Sequence, residues 1–297
     1  MDLMQLRAMA KINLGLDVVR RREDGYHEVR MVMQTIRMFD RVTIHRIPEK
    51  EIRISSNLHF LPINENNIAY KAARMMMEKQ PLRSGVSINL QKRIPVSAGM
   101  AGGSADAAAV LYGMNRIFHM GYTLEELKKF GLKLGADVPY CLMRGTALAE
   151  GIGEKLSRLP ACPPCYVLIA KPPISVSTKM VYENLRLDEN TKHPDIDGLV
   201  DAIYRQDVHG MTSCMGNVLE SVTIPAYPII GEIKERMLEN GAMTALMSGS
   251  GPTVFGLYDN YEMALRAKEA LLDWGKVPLV YVTDLYCAKE ETPVNRW

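Results

Sequence analysis

Apolar and polar residues alternate from 9 to 19, with Ile12, Leu14, Leu16 and Val18 on one side and Lys11, Asn13, Gly15 and Asp17 on the other. A period of two predicts a half-buried strand. The charged run that follows ends in Asp24-Gly25, a pair suited to the φ > 0 position of a turn, and a second strand is expected at 28–36. Shorter strand signals lie at 41–47, 51–55 and 85–90. Asn66 or Asn67 caps a helix through Lys79, whose Ile68, Ala72, Met75 and Met76 fall at helical spacing. Thr123-Leu-Glu-Glu126 is a capping box, and the helix it opens is stopped by Gly135.

Prolines at 160, 163, 164, 172 and 173 flank an apolar run at 166–170, and a domain boundary is placed at the start of this stretch. The expected domains are 1–158 and 159–297. Beyond the boundary the pattern predicts helices at 179–184, 196–206, 228–240 and 261–272, and strands at 242–247, 253–258 and 279–285. Helices mixed with short strands give an α+β fold. A length of 297 residues fits two domains.

Between the strand at 85–90 and an alanine-rich helix runs Pro95-Val-Ser-Ala-Gly-Met-Ala-Gly-Gly-Ser-Ala-Asp-Ala-Ala-Ala109. Glycines 99, 102 and 103 permit φ > 0 and remove side chains that would hold a polyanion away. The helix start that follows offers unpaired N–H groups and a positive dipole end, so the stretch is read as a phosphate cradle. It is no Walker A loop, because Ser104-Ala105 follows Gly103 where Lys and Ser or Thr are required. Nor is it a dinucleotide fingerprint, since Ala101 and Ser104 occupy the glycine places counted from Gly99, which weakens a nicotinamide-dependent oxidoreductase. Protein-kinase signatures are missing too. A second glycine-rich turn, Met247-Ser-Gly-Ser-Gly-Pro-Thr253, is either a bare hairpin or a backing for the first loop around the same phosphates.

Composition narrows the partner. Hydrophobic residues make up 47% and charged residues 24%, an ordinary globular mixture. A net charge of +2 with no long basic run leaves no electrostatic footprint for nucleic acid, so a small molecule is expected. The longest uncharged stretch, 241–258, carries four glycines and Pro252 and is no membrane span, while Asp2, Arg7 and Lys11 interrupt any signal-peptide core. A cytoplasmic location is the expectation, and no obligate protein partner is implied. The five cysteines fit reduced thiols. Cys162-Pro163-Pro164-Cys165 has no second pair or nearby His to complete a metal site.

Other residues carry candidate chemistry. Lys11 and Asn13, two apart on a strand, point the same way. Asp137, just past a helix stop with Pro139 fixing the turn and apolar neighbours around it, is a candidate base or a turn-forming Asp. Tyr26-His27 pairs a flat π surface with a two-nitrogen ring, suited to stacking on a nucleobase and reading its edge.

Taken together these motifs resemble the GHMP kinase superfamily. Ala10-Lys-Ile-Asn-Leu-Gly-Leu16, Asp24-Gly-Tyr-His27, the 95–109 stretch, Gly135-Ala-Asp-Val-Pro139, Ala149-Glu-Gly-Ile-Gly-Glu154 and Ser248-Gly-Ser-Gly-Pro-Thr253 are similar to the members acting on a cytidine diphosphate-linked methylerythritol. The resemblance spans nearly the whole chain. It implies ATP-dependent phosphorylation of the 2-hydroxyl of that sugar alcohol, with Mg2+, in the non-mevalonate route to isoprenoid precursors. The implied fold is an N-terminal domain like domain 2 of ribosomal protein S5 and a ferredoxin-like C-terminal domain. Asp137 falls on the family's catalytic base and Lys11 on its partner lysine, which would hold the carboxylate ionised and oriented. Asn13, Tyr26, His27, Thr178 and Tyr182 fall on substrate positions, the two tyrosines on opposite faces of the cytosine, and Gly249 and Ser250 complete that site. Pro95, Val96, Ser97, Ala98, Gly99, Met100, Ala101, Gly102, Gly103, Ser104 and Ala105 match the ATP loop. Ala105 departs from the family, many of whose members carry a second serine there. A GHMP kinase for a small alcohol without a nucleobase, and a non-catalytic nucleotide sensor, remain as rival readings.

Overall fold

The Asp24-Gly25 turn closes a hairpin longer than the alternation predicts, joining β1 (Leu3–Arg21) to β2 (His27–Ile47) in antiparallel register. Gly25 takes φ +84° and Asp24 Oδ1 accepts the Tyr26 N–H at 3.1 Å, so the turn sequence acts as its chemistry demands. The face assignment is corrected. Leu6 and Ala8 pack on one side, Ala10, Ile12 and Leu14 on the other, and Leu16 and Val18 return to the first. Register irregularities between Met9 and Lys11 and between Asn13 and Gly15 produce the two changes. β1 is therefore buried on both sides, and Lys11 and Asn13 are themselves buried.

The computed structural model describes residues 2–80, 82–287 and 297. β3 (Ile52–Ser56), α1 (Ile68–Lys79) and β4 (Gly85–Gln91) follow, with Asn67 capping α1 through the Ala69 N–H. Then come α2 (Gly102–Ile117), α3 (Leu124–Leu132) on its Thr123 capping box, α4 (Val138–Met143), β5 (Thr146–Glu150) and β6 (Lys155–Arg158). The first sheet has the order β3-β4-β2-β1, with β5 beside the other half of β2 and β6 beyond it. Ala105, Ala107, Ala108 and Ala109 of α2 meet Ala69, Ala72 and Ala73 of α1 in the core beside this sheet. Small residues let these helices approach closely, and Gly113 sits where a Cβ would lie 2.4 Å from Ile44 and 2.7 Å from Leu6.

The second half forms β7 (Tyr166–Lys171), α5 (Thr178–Asn184), α6 (Ile196–Arg205), α7 (Val208–Cys214), β8 (Gly216–Asn217), α8 (Glu220–Ala226), α9 (Ile229–Glu239), β9 (Thr244–Met247), β10 (Val254–Tyr258), α10 (Tyr261–Asp273) and β11 (Leu279–Asp284). Its antiparallel sheet runs β11-β7-β10-β9, the ferredoxin-like order 4-1-3-2. β8 instead joins the first sheet, parallel to β1 at Gly15 and Leu16. Ile12 and Leu14 share an apolar layer with Val167, Ile169 and Phe255, so the two sheets pack through a common core. Cys162 and Cys165 are buried in that layer, where burial pushes their thiols up to about 12 and about 11. They are inert packing groups at neutral pH.

Candidate active site

The strand–loop–helix connection from β4 to α2 carries an alternation in backbone sign. Ser97, Gly99 and Ala101 have φ of +53°, +73° and +55°, while Ala98 and Met100 between them do not. Such alternation turns successive N–H groups toward one side and makes an anion-binding nest. Ser97 and Ala101 are unusual there for non-glycine residues, which marks the loop as held by its surroundings. Ala101 is the N-cap of α2 and makes no side-chain cap bond, so the first-turn N–H groups remain available to a ligand. The Lys11 N–H donates to the Met100 carbonyl at 3.1 Å, fastening the loop to β1.

The second glycine turn backs the first. Ser248 Oγ donates to the Gly99 carbonyl at 3.0 Å, and a Cβ at Gly99 would lie 2.0 Å from the Ser248 carbonyl oxygen. Asn217 on β8, which no sequence motif singles out, donates from Nδ2 to the carbonyls of Met247 and Gly249, each at 2.8 Å. Ser250 and Thr178 hydroxyls lie 2.7 Å apart, joining that turn to the start of α5.

These loops border a cleft of about 1120 Å³. Of the residues predicted from the sequence, Lys11, Asn13, Tyr26, His27, Asp137, Thr178, Tyr182, Gly249 and Ser250 line it, together with residues 95–99 and 101–104. Met100 and Ala105 do not: both side chains are buried, Met100 between the sheets and Ala105 against the helices. Because Ala105 faces the core, its lack of a hydroxyl removes nothing from the cleft wall. Sequence reasoning missed Arg21, Leu61, Asn66, Lys92, Asp106 and Lys179, which also line it.

Asp137 stands at the N-cap position of α4, with Pro139 in the first turn rather than in a loop, and its carboxylate makes no cap bond. Half-buried and unused by the helix, it is left facing the cleft. Lys11 Nζ donates to Asn13 Oδ1 at 2.7 Å, and Asn13 Nδ2 donates to the Met31 sulfur at 3.3 Å. No hydrogen bond or ion pair among the described residues joins Lys11 to Asp137, so the lysine is oriented by Asn13. Tyr182, pushed up to about 12 by burial and then by the Asp137 charge, stays a neutral phenol. Its ring centroid is 5.1 Å from that of His27 at a 46° tilt. Burial, and then the Arg21 charge, lower the His27 imidazole below its usual value and keep it neutral at pH 7, with one donor and one acceptor nitrogen. Tyr26 stands 63% exposed beside it, a free aromatic face.

Behind the glycine loop lies a buried ionic cluster. Lys92 Nζ donates to Asp40 and, at 2.5 Å, to Asp106 Oδ2 of α2. Asp40 also accepts the backbone N–H groups of Arg93 and Ile94, the latter at 2.8 Å, at the entrance to the loop. Burial raises the Asp106 carboxyl to about 7, Lys92 opposing and Asp40 adding to the shift. The two carboxylates raise the Lys92 ammonium although burial alone would lower it.

Comparison with known proteins defines the class. Residues 67–145 match the model of the GHMP kinases N terminal domain, and residues 191–277 match GHMP kinases C terminal. A 4-diphosphocytidyl-2-C-methyl-D-erythritol kinase of Lachnospira eligens is 57% identical over 286 residues, 96% of this chain and 99% of its own. One from Lachnoclostridium phytofermentans is 61% identical, covering 90% of this chain and 92% of its own. A crystal structure of 4-(cytidine 5'-diphospho)-2C-methyl-D-erythritol kinase superposes with a TM-score of 0.81 at 35% identity, covering 95% of this chain and 99% of that one. A homoserine kinase from Cytophaga hutchinsonii, at 22% identity and TM-score 0.76, shares the fold. The chain belongs to the GHMP kinases and, among them, to the 4-diphosphocytidyl-2-C-methyl-D-erythritol kinase family.

Proposed function

We propose that the chain transfers the γ-phosphoryl group of ATP to the 2-hydroxyl of 4-diphosphocytidyl-2-C-methyl-D-erythritol, a step toward isoprenoid precursors. The observation carrying this reading is a single cleft whose wall holds a phosphate nest, the aromatic residues Tyr26, His27 and Tyr182, and Asp137.

The nest at 97–101 and the first turn of α2 hold the triphosphate of ATP. Magnesium held with the nucleotide would neutralise charge developing on the transferring phosphates, and Ser104 on the cleft wall is the side chain of the glycine loop that could approach it. At the acceptor end, Tyr26 and Tyr182 take the faces of the cytosine, and neutral His27 reads its edge. Thr178, Gly249 and Ser250 line the same cleft.

Asp137 accepts the proton of the 2-hydroxyl as its oxygen attacks the γ phosphorus. The bond from that phosphorus to the β–γ bridging oxygen breaks, and ADP leaves. Lys11, fixed by Asn13, places positive charge beside the reacting oxygens. Catalysis of this kind rests on positioning and charge stabilisation. Coupled measurement of ADP release tests the function: turnover requires the cytidine diphosphate substrate and is not supported by homoserine or mevalonate. Equal turnover with either small alcohol would favour a kinase without a nucleobase site.

Substrate discrimination has its own test. Stacking on a base contributes about 1–3 kcal/mol by alanine substitution. Tyr26→Ala is therefore expected to raise KM for the cytidine substrate by about 5–150-fold, with KM for ATP nearly unchanged. An unchanged KM for the cytidine substrate would remove Tyr26 from the site.

A further inference from the structure

The cluster of Lys92, Asp40 and Asp106 is not accounted for by phosphoryl transfer itself. It sets two carboxylates against one ammonium at the floor of the cleft, where Lys92 and Asp106 reach its wall but meet little water: Asp106 is 3% exposed, and Lys92 and Asp40 are buried as well. Asp106 Oδ1 is buried without a hydrogen-bond partner. A dry carboxylate oxygen with no donor is costly, and adding a proton removes the cost. Lys92 Nζ joins Asp40 and Asp106, so the two carboxylates face one another across a single ammonium.

The surroundings leave few other groups to compensate. The α1 helix presents Ala69, Ala72, Ala73 and Met76 to the core, and α3 presents Leu127 and Gly131. From α4 comes the neutral thiol of Cys141, with Asp137 and Lys11 also within electrostatic reach of that thiol. From β2 comes Asp40, and from the segment after β4 comes Lys92. Asp106 lies in the second turn of α2, beyond the reach of most of the helix-end field, so Lys92 is the main group stabilising its ionised form.

An anion seated on the N-terminus of α2 adds repulsion to an ionised Asp106 and favours its protonated form. We propose that Asp106, held by Lys92 and Asp40, is a proton-linked positioning residue for the nucleotide: the carboxyl pair takes up one proton from solvent when the nucleotide's phosphates occupy the glycine loop, and returns it when they leave. The link is mechanical as well as electrostatic. Asp40 holds the backbone of Arg93 and Ile94 at the loop entrance, and Lys92 Nζ lies 3.6 Å from where a Cβ on Gly102 would stand. The inference rests on the reading of the glycine loop as the nucleotide seat.

Calorimetric titration with ATP in the presence of a metal chelator, near neutral pH and in two buffers of different ionisation enthalpy, measures the protons taken up. Wild type is expected to take up more protons per nucleotide than Asp106→Asn, by up to about half a proton near pH 7. The nucleotide's own titration cancels in the difference. Equal uptake by both proteins, with binding intact, would overturn the linkage alone. No binding of ATP by folded wild type would overturn the nucleotide seat and the linkage with it. Infrared difference spectra of wild type labelled with 13C-aspartate need no variant: nucleotide addition should produce a protonated-carboxyl band from aspartate, and its absence would count against the proposal.

Discussion

Replacing Asp137 with Asn lowers kcat by about 10²–10⁴, or about 3–5 kcal/mol of barrier, while the affinity for ATP stays nearly unchanged. The neutral 2-hydroxyl is a poor nucleophile, and the amide keeps the size of the carboxylate but cannot accept its proton. The fold gives no reason for the variant to unfold, because the Asp137 side chain does not cap α4. Single-turnover phosphoryl transfer and separate nucleotide titration divide the two effects. A variant retaining most of its kcat would remove Asp137 as the base.

Gly99→Ala is the second change with a large expected effect, and it acts on the donor side. The residue has φ +73°, and a Cβ would stand 2.0 Å from a backbone oxygen of Ser248, which no rotamer change relieves. The two glycine loops must then separate, breaking the Ser248 hydroxyl bond to the Gly99 carbonyl. A cost of about 2–3 kcal/mol in stability is expected. KM for ATP should rise with it, since the nest depends on the same backbone. Thermal unfolding and ATP titration read the two parts separately. Gly103 offers the contrast: its φ is not positive, and a Cβ there would meet no atom nearer than 3.5 Å, so Gly103→Ala should leave stability close to wild type.

What is legible in the sequence is whatever repeats locally. The capping box at Thr123, the Asn67 cap, the Asp24-Gly25 turn and the strand–glycine–helix order all follow from near neighbours. Lys11 and Asn13 fall side by side as their spacing predicts, because alternation holds between bulges. Their burial is not legible, because register irregularities with β2 turn the surrounding apolar residues from one core to the other. The short β5 and β6, and α8 with Pro225 inside it, carry too little periodicity to be read. Asn217, whose partners lie 30 and 32 residues away, and the Asp40–Lys92–Asp106 cluster arise only when distant segments meet. Asp106 sits inside the glycine-rich motif and still gives no signal, since its meaning depends on Asp40 and Lys92.

The most direct test of phosphoryl transfer to the 2-hydroxyl is proton-coupled 31P NMR of the product formed from ATP and 4-diphosphocytidyl-2-C-methyl-D-erythritol. The carbon bearing that hydroxyl also bears the methyl group and carries no hydrogen, so the new phosphomonoester should give a single line without three-bond coupling to a proton. A new phosphomonoester signal split by such coupling, or none above the wild-type background without acceptor, would contradict the account.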